Sequence, residues 1–408
     1  MYRAADYSPT DPGVLADPYP YYRALRQGPG ATYIEVDDLW VVSRFHDVGN
    51  AIRNPATFSS KALWALFGGM VSAREGTRPN VRDFAATQPR SLIAMDPPDH
   101  VPIRRLAAKM FTKKAVDGYT TMIRSICEEL ADDMLEHRDG GEIDLVADFH
   151  HPLPVRVIAD ILGIHAERRQ DFKRWSDILI NRLSGRGDSQ EERADLKLMM
   201  EYIGEIIRER RAHRGDDLIS LILSGNEQAD EPLTDWDLFN FCALLLSAGN
   251  ETTTNLLGNL FNAFFRFPDQ FQRARETASL EPVVEEILRY ESTVQGVVRL
   301  TNAPVKVAET IIPADSIVLL LTGSANRDET RWENPDRFDV DREPLPHYGF
   351  GTGIHHCLGA ALARLETQVA LDVLRRRIPV IEPAGTASRS ANIILRGFTS
   401  MPVTIAAA

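Results

Sequence analysis

The stretch HYGFGTGIHHCLGAALARLE, residues 347–366, spaces glycines around one cysteine and then runs into an apolar, alanine-rich helical pattern. Gly351, Gly353 and Gly359 reduce crowding along the chain path to Cys357. A cysteine just ahead of a helix meets backbone N–H groups and the positive end of the helix dipole, which favours the thiolate. Three readings of Cys357 remain open on these residues alone: an inert buried thiol, a zinc ligand beside His355 and His356, or the single thiolate of a haem. Structural zinc needs about four ligands, and no paired-cysteine motif lies nearby. A nucleophilic thiol lacks a specific histidine or aspartate partner in the sequence. Haem iron needs one protein thiolate.

Bulk properties narrow the classes. The chain has 408 residues, 44% of them hydrophobic, enough for a substantial core. Its formal net charge of −12, from 46 basic and 58 acidic residues, argues against a nucleic-acid partner. Cys127, Cys242 and Cys357 are odd in number and widely separated, which suits a reducing compartment. The N-terminal MYRAADYSPTDPGVLADPYPYY lacks the apolar run of a signal peptide, and no apolar segment reaches membrane-spanning length. A cytoplasmic protein without a membrane anchor is the expectation.

Along the chain, YIEVDDLWVVSRF at 33–45 reads as a strand pair, and residues 59–95 as a long glycine-interrupted segment. Helical spacing runs from Pro102 to about residue 137 and returns in PVRVIADILGI. Two charged helices are expected between 166 and 214, separated by SGRGDS, as elements able to move as a lid. The longest helix should span Asp235 to Phe267, with Pro268 as its stop. Short strands follow the helix in PVVEEILRYES, and a final helix follows Cys357. The fold class is mainly α with a smaller β region, without the repeated units of a doubly wound sheet. Within the long helix, SAGNETTT at 247–254 interrupts the apolar run. Gly249 permits a local distortion there, and the Thr252 hydroxyl can satisfy a displaced carbonyl or orient water. On pattern alone this is equally a kinked core helix.

FGTGIHHCLG, residues 350–359, closely resembles the haem-binding signature of the bacterial-type cytochrome P450 family. The resemblance implies a triangular prism-like helical domain around haem b, with Cys357 as axial ligand of the iron. Phe350 would then shield the sulphur, and Gly351 would let the loop approach the porphyrin. SAGNETTT resembles the family's oxygen-activating helix, and its matched acid–alcohol pair is Glu251 and Thr252, implied to deliver protons. DPPDHVPIRRL at 96–106 resembles a segment whose histidine and arginine meet haem propionates, here His100 and Arg104. Arg299 and His355 would extend that cationic cradle. EILR at 286–289 and PDRF at 335–338 resemble the acid–arginine folding motif, with Glu286, Arg289 and Arg337 as its members. NRD at 326–328 strengthens the match, which covers most of the chain. Tyr348, Gly349, Asn250, Thr352 and His356 fall at departures or variable positions.

The resemblance further implies one catalytic domain over 1–408 without a fused reductase, acting as a monomer. Its activity would be insertion of one atom of O2 into a moderately large, mainly apolar substrate. C–H hydroxylation in bacterial secondary metabolism, such as antibiotic biosynthesis, is the default, with epoxidation, dealkylation and coupling available. Electrons would come ultimately from NAD(P)H through a ferredoxin reductase and a ferredoxin. Candidate pocket walls in the early segment are Leu63, Trp64, Leu66, Phe67, Met70, Ile93 and Met95. Leu245 and Ala248 would join them from the long helix, Val294, Val297 and Val298 from the following strand region, and Ile393 and Ile394 from the C-terminal part. Core packing stays open for each. A peroxide-dependent peroxygenase and a non-catalytic haem sensor are the alternatives.

Overall fold

The computed structural model describes residues 2–63, 81–88, 90–137, 141–183, 189–227 and 232–406. The spine is the unbroken helix Asp235–Arg266. Thr234 starts it with a capping box: its hydroxyl accepts the Asp237 N–H, and the Asp237 carboxylate accepts the Thr234 N–H. Pro268 both ends this helix and opens the next, Pro268–Glu276, at the first position, where a missing N–H costs no intrahelical bond. Helices Pro152–Leu162, Arg169–Leu183, Gln190–Ala212, Glu281–Tyr290 and Ala360–Arg377 pack directly on the spine. Phe149, Trp175, Phe261 and Phe264 fill the shared core. Each such large side chain contributes about 1.5–3 kcal/mol on burial.

The expected strand pair forms as Ala31–Ile34 against Leu39–Val42. Ile317–Leu320 adds in parallel to Leu39–Val42, and Val297–Thr301 and Phe58–Ser59 complete a five-stranded mixed sheet. Side chains alternate across it: Val41, Val298 and Leu319 enter one apolar cluster, and Val42, Val318 and Leu320 another. A separate antiparallel sheet joins Glu142–Asp144, Pro402–Ala406 and Val380–Pro383. The architecture is therefore mainly helical with a smaller β region. The two charged helices stand at Arg169–Leu183 and Gln190–Ala212, and residues 184–188 between them lie outside the described residues. Among the described residues, no helix is long and apolar enough to cross a membrane.

Candidate active site

The cysteine loop is built by backbone bonds. Cys357 N–H donates to the Phe350 carbonyl at 2.9 Å, and Gly351 N–H to that of Tyr348 at 3.0 Å. Gly351 and Gly353 take φ of 66° and 69°, the left-handed region that favours glycine. Gly359 caps the helix Ala360–Arg377. The Cys357 residue is exposed in area, yet the protein around its sulphur desolvates the thiol and pushes its pKa up. The Gly359 N–H and the charges of Arg104 and Arg364 pull it down by less. Desolvation thus outweighs the helix-end effect expected from the sequence, and a bound cation is what would displace the proton.

Beside this loop the four cradle residues come together. The His100 and His355 rings stand edge to face at 4.6 Å. Arg104 Nη2 donates to the His356 carbonyl at 2.6 Å, and His355 Nε2 lies 2.8 Å from Ser60 Oγ. Arg299 is 6% exposed, donates to the Val298 carbonyl, and forms no ion pair among the described residues. Burial lowers its pKa to about 10, against the pull of Asp96. Burial, followed by the charges of Arg299, His100 and Arg104, holds His355 down to about 3. His100 Nε2 is buried without a hydrogen-bond partner among the described residues. Two arginines and two imidazoles with Asp96 as the acid acting on His100 and Arg299, and one imidazole nitrogen orphaned, fit the two carboxylates of a haem. Zinc fits less well, since among the described residues no group of three or more His, Cys, Asp or Glu could hold a metal ion.

The spine presents two different stripes next to each other. Between Leu244 and Leu260 the partly open positions are Leu244, Leu245, Ala248, Gly249 and Thr252, one face at helical spacing. Thr252 Oγ1 donates to the Ala248 carbonyl at 2.6 Å. This is the hydroxyl-to-carbonyl bond the sequence suggested, made without breaking the helix. The other stripe is polar and buried: Ser247, Asn250, Glu251 and Thr254. Asn250, a variable position by resemblance, is a fully buried anchor. Its Nδ2 donates to Ser176 Oγ at 2.7 Å and lies 3.3 Å from His151 Nε2, while its Oδ1 accepts from Thr254 at 3.2 Å. Glu251 is 8% exposed and, one position before Thr252, lies where the two stripes meet.

The folding clamp differs from expectation in one member. Arg289 grips Glu286 through Nε at 2.7 Å and Nη2 at 2.8 Å, both side chains 2% exposed. The second arginine on Glu286 is Arg342, with Nε 3.2 Å from Oε2. Arg337 is not that partner: its side chain is 65% exposed, and its nearest acid is Asp339 at 3.7 Å. What Arg337 supplies is its carbonyl, which accepts from Arg289 and Arg342, both at 3.1 Å. The NRD residues tie neighbouring parts to this clamp. Asn326 Oδ1 accepts the Tyr348 N–H, Arg327 lies between the rings of Tyr19 and Tyr290, and Asp328 accepts the Phe45 N–H. Sequence reading also missed Glu285, Arg364 and His347. The adjacent acids at 285–286 were its only signal.

Among the pocket candidates, the Gln295 N–H bond to the Ile394 carbonyl at 2.8 Å and the Val294–Leu395 bridge bring Val294 beside Ile393 and Ile394. Leu63, Leu245, Met95 and Val297 are half-buried, and Ala248 and Ile93 exposed. Val298 is corrected to a core residue: at 2% exposure it packs into the cluster that Ile393 and Ile394 border, while Val297, on the opposite face, packs against the cluster of Val42, Val318 and Leu320. Trp64, Leu66, Phe67 and Met70 lie outside the described residues.

The family pattern for "Cytochrome P450" matches residues 66–380. The chain is 35% identical over 402 residues to cytochrome P450 107B1 of Saccharopolyspora erythraea, covering 96% of each protein. It is 34% identical to the mycinamicin IV hydroxylase/epoxidase of Micromonospora griseorubida, covering 90% of this chain and 89% of that protein. The solved structure of cytochrome P450 CYP109Q5 from Chondromyces apiculatus superposes with a TM-score of 0.86 at 36% identity, over 99% of both chains. With the glycine-shaped cysteine loop and the arginine–histidine cradle in place, these likenesses make the chain a member of the cytochrome P450 family: a haem b monooxygenase whose electrons derive from NAD(P)H.

Proposed function

We propose that this chain is one catalytic domain that hydroxylates a moderately large, mainly apolar product of bacterial secondary metabolism, and that the Cys357 thiolate would hold the haem iron. The convergence of His100, Arg104, Arg299 and His355 beside the Cys357 loop carries this reading. Haem, when bound, supplies the reductive activation of O2 by which one oxygen atom enters the substrate and the other leaves as water. Arg104 and Arg299 would neutralise its carboxylates, and the uncharged His100 and His355 rings would add hydrogen bonds to them. Phe350, partly buried against the main core, keeps water from the Cys357 sulphur. Gly351 keeps side-chain bulk off the loop. Thr252 commits its hydroxyl hydrogen to Ala248 and offers its lone pairs to a water on the open stripe. Glu251 passes protons from the buried polar stripe toward that water.

Leu245, Ala248, Val294, Ile393 and Ile394 form the apolar walls that exclude water and orient the substrate. The hydroxylase/epoxidase relative keeps epoxidation beside hydroxylation. A ferredoxin, reduced by a ferredoxin reductase, delivers electrons at the face carrying the Cys357 loop, where the path is short. A substrate panel scored by ferric spin state, then product mass after adding reductase, ferredoxin and O2, tests the reading. Products that gain one oxygen atom support it. Normal haem content with no oxidised product from any spin-shifting compound contradicts it, and a thiolate signature of the reduced CO complex surviving in Cys357→Ser rejects the ligand.

A further inference from the structure

Behind the cysteine loop, three charged or titratable side chains form a chain of contacts separate from the folding clamp. Glu285, on the helix Glu281–Tyr290, receives Arg364 through Nε at 2.5 Å and Nη2 at 3.0 Å. Its Oε2 lies 3.0 Å from His347 Nε2. His347 Nδ1 accepts the Gly349 N–H at 3.0 Å, which leaves the ring proton on Nε2, donating to Glu285. The carboxylate is thus fixed by donors from two directions in sequence, the C-terminal helix and the loop that leads to Cys357.

Arg364 then links this group to the loop. Its guanidinium carbon stands 4.5 Å from the centroid of the Phe350 ring, and the Phe350 carbonyl accepts the Cys357 N–H. Side-chain exposures of 32% for Arg364, 14% for Glu285 and 6% for His347 leave these charges only partly screened. The positive charge of Arg364 is felt at Cys357, and Glu285 and Glu281 are the acids that act on Arg364. A planar, permanently charged fork is what this position needs, since it must meet both carboxylate oxygens while lying against a ring.

We propose that Arg364 is a positioning residue that sets the electrostatic field at the Cys357 sulphur, and that Glu285, held by His347, sets how much of that field the sulphur receives. The inference rests on the proposed role of Cys357 as the thiolate that holds the haem iron. A cation near an iron–thiolate unit favours its reduced, more negative form, and an acid beside that cation attenuates the effect. Opposite shifts therefore follow from removing the two charges, whereas a packing role would disturb both variants alike.

The test is a redox titration of the holoenzyme, with the thiolate signature of the reduced CO complex recorded for every variant. Arg364→Gln should move the midpoint potential to more negative values, and Glu285→Gln to less negative values. The double variant should lie between them. Arg364→Lys, which keeps the charge but loses the fork, should stay near the native potential with a lower thermal midpoint; it serves if Arg364→Gln fails to take up haem. Shifts of the same sign, or native potentials throughout with the thiolate signature intact, overturn the proposal. Absence of that signature in the unsubstituted protein would instead reject the ligand assignment, and the proposal with it.

Discussion

The Arg342 guanidinium, not that of Arg337, reaches the Glu286 carboxylate, at 3.2 Å. It also donates to the carbonyls of Glu333 at 2.9 Å and Asn334 at 3.2 Å, so one side chain closes the segment ahead of the cysteine loop onto the buried Glu286–Arg289 pair. Removing it leaves several acceptors and a buried carboxylate underserved. Arg342→Ala should cost about 1–3 kcal/mol and lower the haem content of purified protein. Arg337→Ala, whose carbonyl contacts survive the substitution, should stay within about 0.5 kcal/mol. Chemical denaturation and haem content check both; equal losses would return Arg337 to the clamp.

Much of this was legible because local chemistry fixes it. The glycine-spaced loop, the proline that stops the long helix and the β-branched, aromatic strand pair each carry their structure in consecutive positions. The cradle was legible only through resemblance, since His100, Arg104, Arg299 and His355 come from distant segments. Arg342 was missed because two arginines five positions apart look alike in sequence, and only the turn between them decides which one faces inward. Val298 was misplaced for the opposite reason: the strand period of two already forbids it from sharing the face of Val297.

Thr252 and Ala248 share the open stripe of the spine, and the hydroxyl bond to the Ala248 carbonyl fixes where the Thr252 oxygen points. Thr252→Ala should leave haem content and substrate binding near native while the NAD(P)H consumed per product rises several-fold. Thr252→Ser, which can keep the same bond, should recover most of the coupling. An unchanged ratio in Thr252→Ala would remove Thr252 from oxygen activation.

Asn250 joins the spine to the helix Arg169–Leu183 through Ser176, whose hydroxyl is fully buried with it. Asn250→Ala removes the donor that the buried Ser176 hydroxyl accepts from, while Thr254 keeps its bond to the His150 carbonyl, at a cost of about 1–3 kcal/mol. Pairing it with Ser176→Ala should recover part of that loss, because the stranded hydroxyl is removed too. Strictly additive losses in denaturation would show that the two side chains do not act together.

Glu366 is 3% exposed, its Oε2 has no hydrogen-bond partner among the described residues, and burial raises its pKa to about 8. Its titratable neighbour Cys127 is held neutral by its own burial. The unfolded chain ionises Glu366 near the ordinary value of about 4.3. Between these two values the folded chain keeps a proton that the unfolded chain has released. Its contribution to stability is therefore fully present below about pH 4.3, falls as pH rises, and is lost above about pH 8. Glu366→Gln removes that titration while keeping the shape of the side chain. Its thermal midpoint relative to the native chain should rise across the window and level off above it. A difference that stays constant from about pH 5 to about pH 9 would mean that Glu366 is already charged in the folded protein.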